Sequence, residues 1–317
     1  MSWRIENSDA LSLLRSLPCE WAQTCVTSPP YRGPQDHVEH LVSVLDEVHR
    51  VLRSDGTLWL NLGDSYTSTG RSCGTADPML PRRERSLPGP GPKDLVGVPW
   101  RVAFALKERG WWLRSYVIWV RPNPMPETVH DRPTRPHEYL FLLTKQPYYF
   151  YDATAFREPA TNPCPNNRYE QRGRLVYLNR RGERAQHEQW RAGNDRKRRS
   201  WWKTTGHGNS RARLVCKEKL VERCVLAGSA PTACGICGAP WQRKRTTPNG
   251  QEGLWGPSCG HQNDIGRCLV LDPFCGSATT GTVAHRLGRN FLGIEPDRAT
   301  ATLARRRLQA IAPEAKR

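Results

Sequence analysis

The chain has 317 residues, with 48 Lys and Arg against 30 Asp and Glu, a net charge of +18, and a pI near 9.8. That length can bury a sizeable core as one large domain with inserted segments, while a mean hydropathy of −0.68 predicts solvated arms or loops beside it. No apolar run approaches the roughly 18 residues of a membrane span, and residues 1–17 carry Glu6 and Asp9 instead of a signal's apolar stretch, so neither a membrane nor an exported protein is expected. The charge predicts a polyanionic partner. Eleven cysteines in such a chain read as free thiols and metal ligands, with the cytoplasm as the expected compartment.

In chain order, a short apolar segment at 24–26 leads into Thr27-Ser28-Pro29-Pro30-Tyr31. Residues 36–52 place Val38, Leu41, Val42, Leu45, Val48 and Leu52 at helical spacing, and Asp55-Gly56 is expected to end that element. A buried strand is predicted at 57–62, a helix at 99–109 with Pro99 in its first turn, and strands at 112–120 and 138–143. Trp111, Trp112 and Trp119 are expected in the core, and residues 68–93, rich in Gly, Pro, Ser and Arg, form a loop. Residues 157–223 hold 18 Lys and Arg against 7 Asp and Glu, a net +11, interleaved with Tyr169, Tyr177, Trp190, Trp201 and Trp202. Basic residues among aromatics suit phosphate contact and base stacking; a solvated insertion is the plainer reading. Strand 268–271, helix 279–287, strand 290–294 and helix 297–311 close the chain, and this alternation predicts a mostly parallel sheet covered by helices.

Two turns carry chemistry. Leu271-Asp272-Pro273-Phe274-Cys275-Gly276-Ser277-Ala278-Thr279 follows a strand, and Glu295 ends the next one 19 residues after Gly276. Small residues there let backbone approach a ligand, and an acid at that distance can hold ribose hydroxyls, so a nucleoside-containing cofactor is expected. In Ser28-Pro29-Pro30-Tyr31 the prolines force a stiff extended turn. Its carbonyls, the Ser28 hydroxyl and the Tyr31 ring would suit an exocyclic amino group on an extruded base. A third motif, Cys234-Gly235-Ile236-Cys237 followed by Cys259 and His261, has zinc-ligand spacing, with Cys268 as a substitute fourth ligand. Such a knuckle braces an insertion or adds a nucleic-acid contact through Arg243, Lys244 and Arg245.

With both turns present, the chain resembles the amino DNA methyltransferases that act on cytosine N4 or adenine N6, in the β-group order of catalytic motif, recognition region and cofactor loop. Further similar segments are Asn7-Ser8-Asp9-Ala10-Leu11, residues 56–66, 94–107, 110–145 and 218–231. Ser8 and Ala278 depart from the family's usual glycines, and a position that needs φ > 0 would make Ala278 costly for cofactor affinity. The resemblance implies an α/β fold, a Rossmann-like sheet dependent on S-adenosylmethionine. Its catalytic segment would span residues 1–156 and its basic target-recognition region residues 157–215. The cofactor-binding segment would span residues 216–317 and carry a zinc-knuckle insertion at 232–267.

It also implies roles. Asp272, Phe274, Gly276 and Ser277 line the cofactor site, Glu295 binds the ribose and Asp9 meets the adenine amino group. Ser28 and the Pro29 carbonyl accept hydrogen bonds from the target amino group, Pro30 stiffens the turn and Tyr31 stacks on the base. The charge run Arg196, Lys197, Arg198 and Arg199, in a stretch with no family match of its own, is expected to contact double-stranded DNA, and relatives often pair as homodimers. Serine at the first tetrapeptide position leans toward cytosine N4; adenine N6 is the alternative. A binding module with a zinc knuckle and weak catalysis, and a methyltransferase for RNA or protein glutamine, are the rival readings.

Overall fold

The structure, a computed structural model, describes residues 2–30, 35–67, 93–120, 130–159, 195–203, 210–243, 254–261 and 263–311. Its elements in order are β1 (Trp3–Glu6), α1 (Ala10–Ser16), β2 (Ala22–Thr27), α2 (Gln35–Val51), β3 (Leu52–Leu62), α3 (Val98–Glu108), β4 (Trp112–Val120) and β5 (His137–Thr144). A 3₁₀ turn (Ala153–Phe156), β6 (Arg157–Pro159), β7 (Asp195–Lys197), β8 (Trp201–Lys203), α4 (Ser210–Gly228), β9 (Gln242–Arg243) and β10 (Trp255–Gly256) follow. The chain closes with β11 (Leu269–Asp272), α5 (Thr279–Arg286), β12 (Asn290–Ile294) and α6 (Arg298–Gln309).

One eight-stranded sheet runs β1-β12-β11-β2-β3-β5-β4-β8. The first five strands are mutually parallel, β5 is antiparallel to both neighbours, and β8 lies parallel to β4. Period-two alternation in β3 sends Leu58, Leu60 and Leu62 into the core beneath α1, α2 and α3, while Trp59 enters the core beneath α4, α5 and α6. Asn61 shares the Trp59 side of the strand, which directs an amide toward the α4 face. Among the described residues, no helix is long and apolar enough to cross a membrane.

Three expectations need correction. Asp55-Gly56 does not end α2: it lies inside β3, where five residues of β3 (52 to 57) advance against two of β2 (22 to 24). A Cβ on Gly56 would stand 2.9 Å from the Arg53 carbonyl, so the bulge admits only glycine without a shift. Trp111 and Trp119 are buried, but Trp112 is 49% exposed, because that half of β4 has no described neighbour beyond it. Trp202, expected among base-stacking aromatics, is core: it is 3% exposed and stacks on Phe156 at 5.1 Å. The long α4 was not anticipated, and it runs across the expected boundary at 215/216.

The insertion before β11 has little apolar core of its own: Phe150, Ala230, Ala233 and Cys268, with Trp241 and Trp255 against them. It is riveted to the amino ends of the sheet. Gln23 on β2 donates to the Gly238 carbonyl (2.8 Å) and accepts from Leu269 N–H on β11, and Arg53 donates to the Cys237 carbonyl (2.8 Å).

Candidate active site

The carboxyl ends of β2 and β11 meet under α4 and open a cleft lined on one side by Thr27, Ser28, Asn61, Trp119 and Leu140, and on the other by Asp272, Phe274, Gly276 and Ser277. Lys217, Leu220, Val221 and Cys224 of α4 form its roof. Parallel neighbours ending together are what place the two sequence motifs, 245 residues apart, side by side. The link is direct: Thr27 Oγ1 donates to Asp272 Oδ1 at 2.7 Å. Thr280 adds a second tie, its hydroxyl donating to the Val26 carbonyl at 3.3 Å.

Ser28 is exposed at the cleft mouth and Pro29 is buried behind it. Asn61 donates from Nδ2 to Ser28 Oγ (3.3 Å) and to Glu138 Oε2 (2.7 Å). A carboxylate only accepts, so Glu138 fixes which way the Asn61 amide faces. Asn61 was not singled out from the sequence and Glu138, in a family-like segment, was given no catalytic part, because their meeting depends on the β3–β5 register. Tyr31 lies outside the described residues.

On the cofactor side, Asp272 is 4% exposed and also accepts from Phe274 N–H (3.1 Å). Burial pushes its carboxyl up from 3.8 to about 6, against hydrogen bonds from Thr27, Thr280 and Phe274 that lower it. Gly276 turns the loop at φ +50, and its N–H donates to Glu295 Oε2 at 3.0 Å. Glu295 Oε1 accepts from Asp297 N–H (3.0 Å), and Asn7 holds the Glu295 carbonyl (2.9 Å). Both oxygens are thus oriented by backbone donors, with lone pairs left for a vicinal diol. Ala278 does occupy the left-handed region, φ 58 and ψ 43, with its methyl fully buried. Asp9 is not among the cleft-lining residues. Its Oδ1 caps α1, accepting from Ser12 N–H and Oγ at 2.9 Å each, and the Ser12 N–H holds its carboxyl below the ordinary value.

Of the basic tetrad, Arg196 and Lys197 belong to β7, paired with β6. Arg198 forms an ion pair with Glu158 (3.4 Å) and is half-buried, whereas Arg199 is exposed. Arg243 pairs with the buried Asp152 (3.0 Å) and lies over the Trp255 ring. Lys244, Arg245, Tyr169, Tyr177, Trp190 and most of the loop 68–93 fall outside the described residues.

The cysteine motif comes together. The ligand atoms of Cys234, Cys237, Cys259 and His261 all lie within 4.8 Å of one another. Ile236 N–H points at Cys234 Sγ (3.4 Å), and Gly238 takes φ +67 to close the knuckle. Cys268, the substitute fourth ligand, is not part of this group and lies buried in the small core.

A family model described as DNA methylase, covering the N6 and N4 enzymes, matches residues 22–306. The Type II methyltransferase M.SmaI of Serratia marcescens is 34% identical over 328 residues, covering 97% of this chain and 91% of the relative. M.Cfr9I of Citrobacter freundii is 34% identical over 322 residues, covering 95% and 86%. Among solved structures, the PvuII DNA methyltransferase (cytosine-N4-specific) superposes with a TM-score of 0.58 at 15% identity, covering 98% of this chain and 91% of that one. A putative DNA modification methylase from Thermus thermophilus, complexed with S-adenosyl-L-methionine, gives 0.56 at 20% identity, covering 98% and 95%. Both share the fold, and the match of family model and full-length relatives is decisive: the chain belongs to the amino DNA methyltransferase family.

Proposed function

We propose that the protein methylates the N4 amino group of cytosine in duplex DNA, using S-adenosylmethionine and a base extruded into the cleft. The observation that carries this reading is the Thr27–Asp272 hydrogen bond, which fixes the amino-group turn and the nucleoside loop as two walls of one cleft. S-adenosylmethionine, when bound, supplies an electrophilic sulfonium methyl. Glu295 would accept its ribose hydroxyls, Asp272, Gly276 and Ser277 would shape the loop around it, Phe274 would give an apolar wall, and Asp9, whose Oδ1 caps α1, would meet the adenine amino group through its other oxygen.

Ser28 Oγ and the Pro29 carbonyl accept the two amino hydrogens of the target and turn the nitrogen lone pair toward the cofactor side; Pro30 keeps that turn rigid. Asn61, held by Glu138, keeps Ser28 in place, and Tyr31 stacks on the base. The N–C bond would form as the methyl–sulfonium bond breaks, S-adenosylhomocysteine would leave as the neutral thioether, one amino proton would pass to solvent, and positioning would supply the acceleration. Serine at position 28 supports cytosine over adenine. The basic residues Arg196, Lys197, Arg198 and Arg199 belong to a recognition region at 157–215, set between a catalytic segment (residues 1–156) and a cofactor-binding segment (residues 216–317).

Cys234, Cys237, Cys259 and His261 fit a structural zinc ion at the knuckle within 232–267. Tetrahedral coordination needs sulfur–sulfur separations of about 3.8 Å, compatible with ligand atoms that all lie within 4.8 Å of one another. The functional test is nucleoside mass spectrometry on DNA from cells expressing the protein. N4-methylcytosine is the expected product; N6-methyladenine would overturn the base assignment, and neither mark in cells holding soluble protein would overturn the reaction.

A further inference from the structure

Ala278 sits in the left-handed region with no side-chain cap on the helix it starts. For a residue other than glycine that conformation carries a bias of roughly five- to thirtyfold against it, so something must hold the loop. Arg307, on α6, reaches both neighbours of Ala278. Its Nη1 donates to the Ser277 carbonyl (3.1 Å), to Ser277 Oγ (3.4 Å) and to Thr279 Oγ1 (3.4 Å). Its Nη2 donates to Glu218 Oε1 on α4 at 2.7 Å, which aims the guanidinium, and both side chains are largely shielded, at 21% and 17% exposure.

We propose that Arg307 is a positioning residue of the cofactor loop, a clamp oriented by Glu218 that keeps Ala278 left-handed and Ser277 facing the cleft. This rests on the cofactor reading given above. The planar guanidinium fork suits the task, since it satisfies the loop carbonyl and the carboxylate at once, which an ammonium on a flexible stem cannot do. The clamp also explains how this chain tolerates alanine there: the conformation glycine would adopt freely is imposed from α6.

The test uses the full-length protein and four forms: wild type, Arg307→Ala, Ala278→Gly and the double variant. Titration calorimetry with S-adenosylmethionine is expected to show about a tenfold weaker Kd for Arg307→Ala, and a loss of no more than about threefold when the same change is made in the Ala278→Gly background. Amide hydrogen exchange at residues 276–280 of the free protein should quicken for Arg307→Ala, and less so in the double variant. Should Arg307→Ala fail to fold, Glu218→Gln replaces it, with the same expected directions. Equal losses in both backgrounds, or unchanged exchange, would overturn the clamp. If wild type binds no S-adenosylmethionine while exchange behaves as expected, the clamp stands and the cofactor reading falls.

Discussion

Replacing Asp272 by Asn should make the protein more stable while disabling the cleft. Burial raises this carboxyl from 3.8 to about 6, with Glu295 adding to the rise and three hydrogen bonds opposing it. The native state therefore binds the proton more tightly than the unfolded chain, and stability falls as pH climbs from about 4 to about 6. A shift of about 2 units at about 1.36 kcal/mol each gives up to about 3 kcal/mol, fully expressed above pH 6. Asparagine keeps an oxygen for Thr27 Oγ1 and Phe274 N–H and carries no charge to desolvate. Urea unfolding of both proteins between pH 4 and 8 should give curves that nearly coincide at pH 4. The variant should lead by about 2–3 kcal/mol at pH 7, alongside weakened S-adenosylmethionine binding. A difference that does not change with pH, or a variant less stable at pH 7, would refute the reasoning.

Ser28→Ala should slow methyl transfer by about a hundredfold, the scale of losing one positioned polar contact at a reacting group, with DNA affinity in gel shifts within about twofold of wild type. Neutralising Arg196, Lys197 and Arg199 together should reduce the slope of log K against log salt by about 3; Arg198 is left alone because its bond to Glu158 serves folding. The purified chain should carry one zinc by elemental analysis, retain it in Cys268→Ala and lose it in His261→Ala. Its removal by a chelator should lower Tm by about 5 °C or more.

Two strands were legible to the residue: β4 and β12 match their expected bounds, β4 as a stretch rich in aromatic and β-branched residues and β12 as a short apolar run buried almost throughout. The helix α4 was not legible, since Arg211, Arg213, Lys217 and Lys219 merge with the basic stretch before it and its apolar stripe becomes visible only once the sheet is there to cover. The same compositional signal misassigned Trp202, which a three-residue strand carries into the core. Both walls of the cleft were readable as motifs, because a Pro-Pro turn and a small-residue loop are local solutions to local problems. Asn61, Glu138 and Arg307 were not, because each acts across elements whose pairing no single segment encodes.

Departures from local preference gather at the carboxyl ends of the sheet, although Glu20 takes φ 53 at the amino end of β2. Its carboxyl ends hold a buried carboxylate at Asp272, a left-handed alanine at 278 and a hydroxyl left exposed at Ser28. At its amino ends Gln23, Arg53 and the knuckle instead tie β2, β3 and β11 together. Strain of this kind persists only where surrounding structure over-determines it. The expectation is that strands anchored at one end carry at the other a loop and a charge that would not be stable alone. On that expectation, chelating an ion held by the proposed zinc knuckle should loosen the cofactor loop as well as the insertion. Faster amide exchange at residues 276–280 after chelation is the expected sign. Exchange confined to the insertion would show that the two ends of the sheet are independent.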